Sequence, residues 1–365
     1  MTNNFGWVSS ISTGLWGLVM TFFSEDTLKA LTKRDALPED IPPVQFISSG
    51  LYSLDYATGG GFPRQRVTEI SGRNQSSKTT TCLICAGKVI AKGGYVAILE
   101  TESALEFKWM AALGISRDEI YTGSNGGKLE DHHVHVWHPG YLESALETLI
   151  TLYRSNKYDL IILDSFGGSP VRAAAESTMD DVIMMKKAKV GSAFKEKMMA
   201  VAYDGNAAVI ITNQVYTNHS QPYYDKLKPE GGFVVSSGGE SLPFLSAVRI
   251  YMETPGKVED KGKNIIGREL RGFVHKNKTG RVTPQRFTFE INAQDPENPF
   301  INFAKDLALT AQTLGLLEKR GHYWFCNGEN IAASDLELEN LLLSNEKITS
   351  YLEGSIEEII GKRNE

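Results

Sequence analysis

Short apolar runs alternate with helix-length stretches along the chain from residue 46 onward. Five runs, RVTEIS, YVAILE, HVHVW, YDLIILD and AAVIITN, follow one another with such stretches between them. This alternation predicts an α/β domain built around a mostly parallel central sheet. The runs at 158–164 and 207–213 are apolar almost throughout, which is typical of strands buried on both faces. Three later runs, AVRIYME, RELRGFVHKN and QRFTFEI, have short polar connections and predict antiparallel strands.

The first of these runs leads into a loop with the residue types of a phosphate cradle. The segment reads RVTEISGRNQSSKT, and a helix-like stretch follows it. Such a loop binds the phosphates of ATP through its backbone N–H groups and the N-terminus of the following helix, and small side chains let the backbone come close. The lysine would reach the β- and γ-phosphates, and the threonine hydroxyl would ligate Mg²⁺. The predicted nucleotide-binding residues of this loop are Gly72, Arg73, Asn74, Gln75, Ser76, Ser77, Lys78, Thr79 and Thr80.

One position departs from the usual pattern GxxxxGK[ST]. Ser77 stands in the place of the second glycine, where the loop often needs backbone angles that glycine adopts most easily. A Ser-Lys-Thr sequence before a helix is also compatible with an ordinary helix cap. We expect nucleotide binding here, and Ser77 leaves the affinity and the turnover of ATP open.

Acidic residues stand at the ends of two predicted strands. YDLIILDS ends in Asp164 and Ser165, and a carboxylate at the carboxyl edge of a sheet can hold Mg²⁺ beside the cradle. The run ending in ILETES carries Glu100 and Glu102, and a carboxylate there would polarise the attacking water. Each acid taken singly is more typical of a solvated strand end. Together with residues 72–79 they indicate an ATPase site.

Composition is compatible with such a site and restricts the partners. The 365 residues, 41% hydrophobic and 22% charged, suit one large domain and a smaller one. The net charge of −6 disfavours a general nucleic-acid coat, so any DNA contact must be local. Three cysteines are too few for a disulfide framework and favour a reducing cytoplasm. Cys82 and Cys85 lack a second pair, so we interpret them as small apolar residues rather than a metal half-site.

The first 23 residues carry no charged side chain. They lack the basic start of a secretory signal and are interrupted by glycine and serine, which disfavours a membrane span. Their apolar side chains nevertheless need burial, on this chain or on a neighbouring subunit, which suggests self-assembly. A membrane-surface helix is the alternative. The segment 32–45 has the composition of a linker.

From about residue 44 to about residue 360 the chain resembles the RecA/UvsX-like recombinase family, which comprises bacterial RecA and its phage relatives. The resemblance rests on FISSGLYSLDYATGGGFPRQRVTEISGRNQSSKTT, LETESALEFKWMAALGI, AAVIITNQ, SSGGESLPFLSAVRI, FVHKNK and NFAKDLALTAQTLGLLEKRGHYWFCNGENIAAS. It implies a RecA-like P-loop ATPase core, an N-terminal assembly arm and a small α+β C-terminal domain. The implied boundaries are 1–44 for the arm and linker, 45–300 for the core and 301–365 for the C-terminal domain.

The resemblance also implies roles for single residues. Glu102 would orient the attacking water, and Gln214 would sense the γ-phosphate and report it to the DNA-binding loop that follows. Lys276 and Lys278 would reach the ATP of a neighbouring subunit, and with Lys78 these residues form the predicted catalytic set. The further positions are the adenine-side Glu106 and Trp109, the magnesium-binding Thr79 and Asp164, the adjacent Ser165 and the filament-interface Phe244.

Two segments are candidate DNA-binding loops. Residues 215–237 are rich in turn formers, and a loop of that length in a compact domain is usually functional or disordered. Its aromatic residues would stack on bases and its lysines would meet phosphates, although nearby acids balance the charge. The other candidate, which is the first loop in chain order, lies near 173–186, before a lysine-rich stretch that also suits a solvated helix face. The candidate DNA-binding residues are Lys186, Lys187, Lys189, Tyr216, Tyr223, Tyr224, Lys226, Lys228, Phe233, Gly238 and Gly239.

Four histidines crowd into DHHVHVWH. A catalytic zinc site would want a further carboxylate and an open coordination position, which this stretch does not supply. We expect core and edge packing instead.

The resemblance therefore implies a DNA-dependent ATPase that forms helical filaments on single-stranded DNA, pairs it with homologous double-stranded DNA and exchanges strands. ATP and Mg²⁺ would be its cofactors. The expected setting is the cytoplasm of a bacterium or of a phage-infected host, without a membrane, and single-strand-binding and mediator proteins are expected partners. Two alternatives stay open: a hexameric helicase-type motor on the same core, and a nucleotide-gated DNA-binding scaffold with little turnover.

Overall fold

The computed structural model describes residues 43–103, 105–122, 128–172, 182–217, 234–253, 256–259, 262–280, 283, 285–292 and 300–362. The chain divides into two compact units, Met1–Pro43 and Val44–Glu365. All described residues except Pro43 belong to the second unit. The predicted N-terminal arm and its assembly role therefore lie outside the described residues. The division into three parts stays a prediction.

The strands are, in chain order, β1 Phe46–Ile47, β2 Phe62–Pro63, β3 Val67–Gly72, β4 Val96–Glu100, β5 Ile120–Tyr121, β6 Val134–Trp137, β7 Leu160–Asp164, β8 Ala208–Thr217, β9 Val234–Ser236, β10 Val248–Met252, β11 Gly256–Glu259, β12 Ile265–Asn277, β13 Gln285–Asn292, β14 Phe300–Ile301, β15 Leu317–Arg320, β16 Tyr323–Cys326 and β17 Glu329–Ala332. Among the described residues, twelve of these strands form one sheet in the order β14-β13-β12-β10-β3-β8-β7-β4-β6-β5, with β11 beside β12 and β9 beside β8. Neighbouring strands from β10 to β5 are parallel. The predicted parallel centre is thus confirmed.

Strand β10 corrects one prediction. The sequence predicts an antiparallel strand here, but β10 pairs parallel with β3 on one side and antiparallel with β12 on the other. Every residue of β10 is buried. A strand buried along its whole length belongs to the centre of the sheet, so β10 is the boundary between the parallel and antiparallel halves.

The helices are, in chain order, α1 Tyr52–Thr58, α2 Lys78–Ala91, α3 Phe107–Ala112, α4 Leu142–Arg154, α5 Val182–Ala200, α6 Ser241–Leu245, α7 Phe303–Thr313, α8 Asp335–Ser344 and α9 Glu346–Lys362. Successive residues of β4 enter two different cores, Ile98 one and Leu99 the other, because side chains alternate across a strand. Helix α2 packs into the first core, and α4 and α5 pack into the second. Cys82 and Cys85 are buried on α2, which confirms their apolar interpretation. No helix in the described part of the chain is long and apolar enough to cross a membrane.

A third core lies in the C-terminal segment. Helices α7, α8 and α9 share this core with the antiparallel sheet β15–β16–β17. Tyr52 and Tyr56 of α1 pack against this core, and Asp306 of α7 accepts the backbone N–H of Tyr52 at 2.6 Å. The α/β fold with a small α+β C-terminal domain is therefore as the sequence predicts.

Candidate active site

The carboxyl ends of four parallel strands meet at one edge of the sheet. β3 ends at Gly72, β4 at Glu100 and β7 at Asp164, while β8 passes through Gln214. Gly72 is the ladder partner of Gln214, and Glu100 is that of Asp164. Open α/β sheets bind ligands beyond the carboxyl ends of their strands. This edge is therefore the candidate site.

The loop between β3 and α2 surrounds the amine of Lys78. Lys78 is the first residue of α2 and is 9% exposed. Its Nζ donates to the carbonyl oxygens of Gly72 at 3.2 Å and of Arg73 at 3.0 Å. Burial lowers the pKa of Lys78, and the carboxylates of Asp164 and Glu102 raise it. The amine is thus held at the loop, where phosphate oxygens can replace the two carbonyls.

Ser77 adopts the backbone shape that the motif reserves for glycine. Its φ is 63° and its ψ 28°, the left-handed region, and Gln75 has a φ of 61°. Such angles bring Cβ close to the backbone and cost a residue other than glycine about 1 kcal/mol. The cradle geometry is therefore kept although the glycine is replaced. Of the other predicted loop residues, Arg73 and Asn74 are exposed, and Ser76 and Thr80 are buried.

Thr79 and Asp164 form the predicted metal-binding pair. Thr79 Oγ1 donates to Asp164 Oδ2 at 2.5 Å, and the Thr212 hydroxyl on β8 donates to Oδ1. Burial raises the pKa of Asp164, and the hydrogen bonds from Thr212 and Thr79 lower it. Hydroxyl and carboxylate oxygens are donors that Mg²⁺ prefers, with waters and substrate phosphates completing its coordination. The donor set therefore fits that ion.

The carboxylate of Glu102 lies beside this pair. Ser165 Oγ and Gln214 Nε2 both donate to Glu102 Oε1, the amide at 3.1 Å. The backbone N–H of Glu102 donates to Glu100 Oε1 at 2.9 Å. Two donors on one oxygen fix the orientation of an exposed carboxylate, as a residue that aligns a water requires. The structure thus brings together the predicted residues Lys78, Thr79, Asp164, Ser165, Glu102 and Gln214.

Sequence reasoning missed several polar residues that support this edge. Thr212 is one of them, and the buried ion pair between Arg249 Nε and Glu69 Oε2, at 2.6 Å, is another. Asn213 Nδ2 joins this pair by donating to Glu69 Oε1 and to the Ser237 carbonyl, both at 2.9 Å. Two opposite charges inside the apolar runs VTEIS and AVRIYME were the available signal, because buried charges are paired.

Comparison with known proteins agrees with this geometry. The family model described as the RecA N-terminal domain matches residues 29–292. The chain belongs to the RecA family. Protein RecA of Desulforapulum autotrophicum is 29% identical over 323 residues, which are 88% of this chain and 85% of the relative. Protein RecA of Bdellovibrio bacteriovorus is 29% identical over 321 residues, 88% and 77% of the two chains. The mitochondrial DNA repair protein recA homolog of Dictyostelium discoideum is 30% identical over 285 residues, 78% and 57%.

The two lysines that the RecA family resemblance assigns to a neighbour's ATP contact α6 of their own chain. Lys276 Nζ donates to the carbonyl oxygens of Pro243 and Phe244, and Lys278 Nζ to that of Phe244 at 3.5 Å. Helix carbonyls at a C-terminus attract cations. Burial and the charges of Lys278 and Arg249 lower the pKa of Lys276 to about 8. The in-trans role of both lysines stays a prediction.

Phe244, the predicted interface residue, is 60% exposed on α6. Its ring centroid lies 5.1 Å from the Lys195 amine and 5.5 Å from the Lys278 amine. An exposed aromatic ring between two cations suits contact with another surface. Its place in a RecA filament interface is not tested by these contacts.

Only the ends of the longer predicted DNA loop are described. Tyr216 is half-buried on β8. Gly238 and Gly239 form a turn before α6 with φ values of 88° and 70°. A Cβ at Gly238 would lie 2.2 Å from the ring of the buried Phe166, so this position requires glycine. The predicted contacts Tyr223, Tyr224, Lys226, Lys228 and Phe233 lie outside the described residues.

The shorter predicted loop ends earlier than the sequence suggests. The sequence predicts a loop near 173–186, but α5 begins at Val182. Lys189 is exposed on α5, whereas Lys186 and Lys187 are half-buried. The Lys187 amine donates to the carbonyl oxygen of Gly167, in the turn that follows β7. A lysine predicted to face DNA is therefore directed toward the candidate active site.

The predicted adenine-side residues lie on either side of the start of α3. Glu106 is exposed immediately before the helix, and Trp109 is half-buried against the first core. Their contact with a base stays a prediction.

The histidines of DHHVHVWH pack with aromatic and carbonyl neighbours. His135 is buried, and its Nδ1 lies 2.7 Å from the Tyr158 hydroxyl. The ring of His133 stacks on that of Tyr95, with 4.9 Å between the ring centroids. His138 Nδ1 lies 2.9 Å from a Glu100 carboxylate oxygen. The part of the chain that the structure describes contains no group of three or more His, Cys, Asp or Glu side chains placed to hold a metal. The expected packing role is confirmed for His135.

Proposed function

We propose that this RecA-family protein is a DNA-dependent ATPase and recombinase. It forms helical filaments on single-stranded DNA, pairs that strand with homologous double-stranded DNA and exchanges the strands. The observation that carries the proposal is the contact between Gln214 Nε2 and Glu102 Oε1 at 3.1 Å. Glu102 belongs to the phosphate-binding edge, and the candidate DNA loop 215–237 begins directly after Gln214. One hydrogen bond therefore joins the two sites.

The residues at this edge of the sheet have different roles in phosphoryl transfer. Lys78 and the loop N–H groups bind the β- and γ-phosphates, because the amine is already held beside the backbone that cradles them. The Thr79 hydroxyl and the Asp164 carboxylate would hold Mg²⁺, which would supply neutralisation of the charge on the transferred phosphate. Glu102 orients the attacking water, since the Ser165 hydroxyl donates to its carboxylate and keeps it aligned.

Gln214 couples the nucleotide to DNA. A γ-phosphate is a competing acceptor for the amide that now donates to Glu102. When the amide turns to the phosphate, the first residues of the DNA loop move with it, and Glu102 is released to hold the water. Tight DNA binding thereby depends on the state of the nucleotide.

Filament formation follows if ATP lies between protomers. Lys276 and Lys278 would then contact the triphosphate of the neighbouring copy, so that ATP stabilises the assembled form and hydrolysis releases it. Single-strand-binding and mediator proteins are the expected partners, in the cytoplasm of a bacterium or of a phage-infected cell.

Replacement of Lys78 by alanine tests the proposal. The variant loses the cation that binds the β- and γ-phosphates, so phosphate release stimulated by single-stranded DNA should fall at least about 100-fold. Filaments formed with ATP should disappear from electron micrographs. Lys92→Ala, which removes an exposed lysine directly after α2, should behave as wild type. Undiminished filament formation by Lys78→Ala with ATP would contradict the proposal.

The same experiments separate the two alternatives. Micrographs with DNA and ATP distinguish helical filaments from the closed rings of a helicase-type motor. Phosphate release that does not rise when single-stranded DNA is added would favour a scaffold with little turnover.

A further inference from the structure

A lysine of helix α5 contacts the turn after β7, at the edge of the sheet that forms the candidate active site. Lys187 is half-buried, and its amine donates to the carbonyl oxygen of Gly167. Burial lowers the pKa of Lys187, and the nearby charge of Glu102 raises it. Lys189, two residues further on, is exposed. Lys187 is therefore poorly placed for a DNA phosphate and well placed to act on the edge.

The turn that Lys187 holds lies between the two residues that carry the proposed coupling. A Cβ at Gly167 would lie 2.9 Å from the backbone nitrogen of Gln214, and a Cβ at Gly168 would lie 2.2 Å from Glu102 Oε1. The Gly168 N–H donates to Ser165 Oγ at 2.9 Å, and Ser165 Oγ donates to the same Glu102 oxygen. Movement of this turn therefore moves the carboxylate.

A packing contact fixes α5 to the same turn. Phe166, the residue before Gly167, is fully buried. A Cβ at Gly191 of α5 would lie 3.3 Å from its ring, and a Cβ at Gly238 would lie 2.2 Å from it. The helix cannot shift along the turn without displacing this ring, because closely packed interiors transmit displacements. A displacement of α5 would therefore displace the whole turn.

Helix α5 begins directly after residues 173–181, in the segment expected to contact DNA. We propose that Lys187 is a positioning residue that transmits single-stranded DNA binding at this first loop to Glu102, through the Gly167–Gly168 turn and Ser165. This inference rests on the proposed function and deepens it. Glu102 Oε1 is then the meeting point of two routes, one from the first loop through Lys187 and one from the second loop through Gln214.

The test compares ATP hydrolysis and DNA binding in Lys187→Met. Methionine keeps much of the apolar stem of the side chain and removes the donor. We expect hydrolysis at saturating oligo-dT to fall about 5- to 30-fold, the range of common coupling effects. The dissociation constant for oligo-dT, measured by fluorescence anisotropy at several salt concentrations, should keep its wild-type salt dependence. Lys187→Arg retains a donor and should recover most of the stimulation.

Lys197→Met is the matched control, because it removes an exposed lysine from the same helix. Oligo-dT should stimulate ATP hydrolysis by this variant as much as it stimulates hydrolysis by the wild type. Thermal unfolding establishes that Lys187→Met is folded, and Lys187→Gln takes its place if it is not. Full stimulation in the donor-deficient variant overturns the inference. So does weaker DNA binding with a salt slope lower by about one, which is the mark of a lost phosphate contact. A wild type that oligo-dT does not stimulate would instead overturn the proposed function.

Discussion

At the scale of single residues, Ser77 shows how a motif tolerates a replaced glycine. Ser77 has left-handed backbone angles, with φ at 63°, although its Cβ makes this region sterically unfavourable. The Ser77 carbonyl still accepts the N–H of Thr81 at 3.0 Å, so α2 begins as it would after glycine. The replacement therefore affects the free energy of the loop more than its shape.

Ser77→Gly should stabilise the protein. Glycine adopts the left-handed angles without strain, so the free energy of unfolding should increase by about 1 kcal/mol. The thermal unfolding midpoint should rise accordingly. The loop should also reach its phosphate-binding conformation more readily, so the KM for ATP should not increase. Differential scanning calorimetry and steady-state phosphate release measure the two effects.

Lys263→Gly is the matched control for this experiment. Lys263 also has a φ of 61°, and it is exposed and lies outside the phosphate loop. It should show the gain in stability without a change in the kinetics. A Ser77→Gly variant that unfolds below the wild-type temperature would show that the serine is not strained.

At the scale of elements, α1 joins the C-terminal segment to the sheet through a buried carboxyl. Asp306 of α7 accepts the backbone N–H groups of Tyr52 at 2.6 Å and Ser53 at 3.3 Å, the first two residues of α1. The cap of α1 is thus supplied from a helix far along the chain. Burial raises the pKa of Asp306 to about 7, while hydrogen bonds from Ser53 and Tyr52 lower it.

Asp306→Asn should change the pH dependence of stability. A carboxyl whose pKa is higher in the folded protein stabilises the fold at low pH and loses that contribution as the pH rises to its folded pKa. The wild type should therefore lose stability between about pH 4 and pH 7 relative to the variant, whose amide does not titrate. Thermal unfolding of both proteins from pH 5 to pH 7.5 measures the difference.

The control is Asp335→Asn, at the start of α8. The hydrogen bond from Lys319 lowers the pKa of Asp335, so this carboxylate stays ionised over the same pH interval. The stability of Asp335→Asn relative to wild type should be constant from pH 5 to pH 7.5. If the curves of wild type and Asp306→Asn run parallel, the Asp306 carboxyl does not titrate in this interval.

At the scale of the whole molecule, the surface formed by α6 and the end of β12 presents charge and an aromatic ring together. Phe244 lies between the amines of Lys195 and Lys278, and Lys276 holds the end of α6. In the proposed filament the lysines exchange helix carbonyls for a neighbour's triphosphate. The free energy of that exchange depends on whether the amines are charged.

Filament formation should therefore weaken at alkaline pH. The pKa of Lys276 in the protomer is about 8, and a bound triphosphate raises it. The contribution of Lys276 to the free energy of assembly is complete below about pH 8. It is lost as the pH rises through the higher pKa that Lys276 has in the assembled form. The ATP concentration that gives half-maximal assembly, followed by light scattering, should increase above about pH 8.

Lys276→Arg identifies the group responsible. Guanidinium stays charged throughout this interval, so the half-maximal ATP concentration of the variant should change less between pH 7 and pH 9.5, whatever its absolute value. Identical pH profiles for the wild type and Lys276→Arg would assign the titration to another group.

Local pattern alone was sufficient for the strands β3, β4, β6, β7 and β8 and for the phosphate loop. The apolar runs located the parallel strands, and the segment from Gly72 to Thr79 located the cradle, because strand periodicity and loop chemistry depend on neighbours in sequence. Asp164 and Glu102 were found for a related reason, because they stand at or just beyond the ends of buried strands, and parallel strands end at the same edge of a sheet. Gln214 was predicted from the resemblance to the RecA family.

The tertiary structure decided which distant side chains meet. Lys187 turns toward Gly167, Arg249 pairs with Glu69, and β10 lies parallel to β3. None of these stretches of sequence identifies the partner of its own residue, since a lysine on a helix or a charge in a strand suits several surroundings. Strand order and packing select one of them. A buried charge can persist only beside the partner that the fold brings to it.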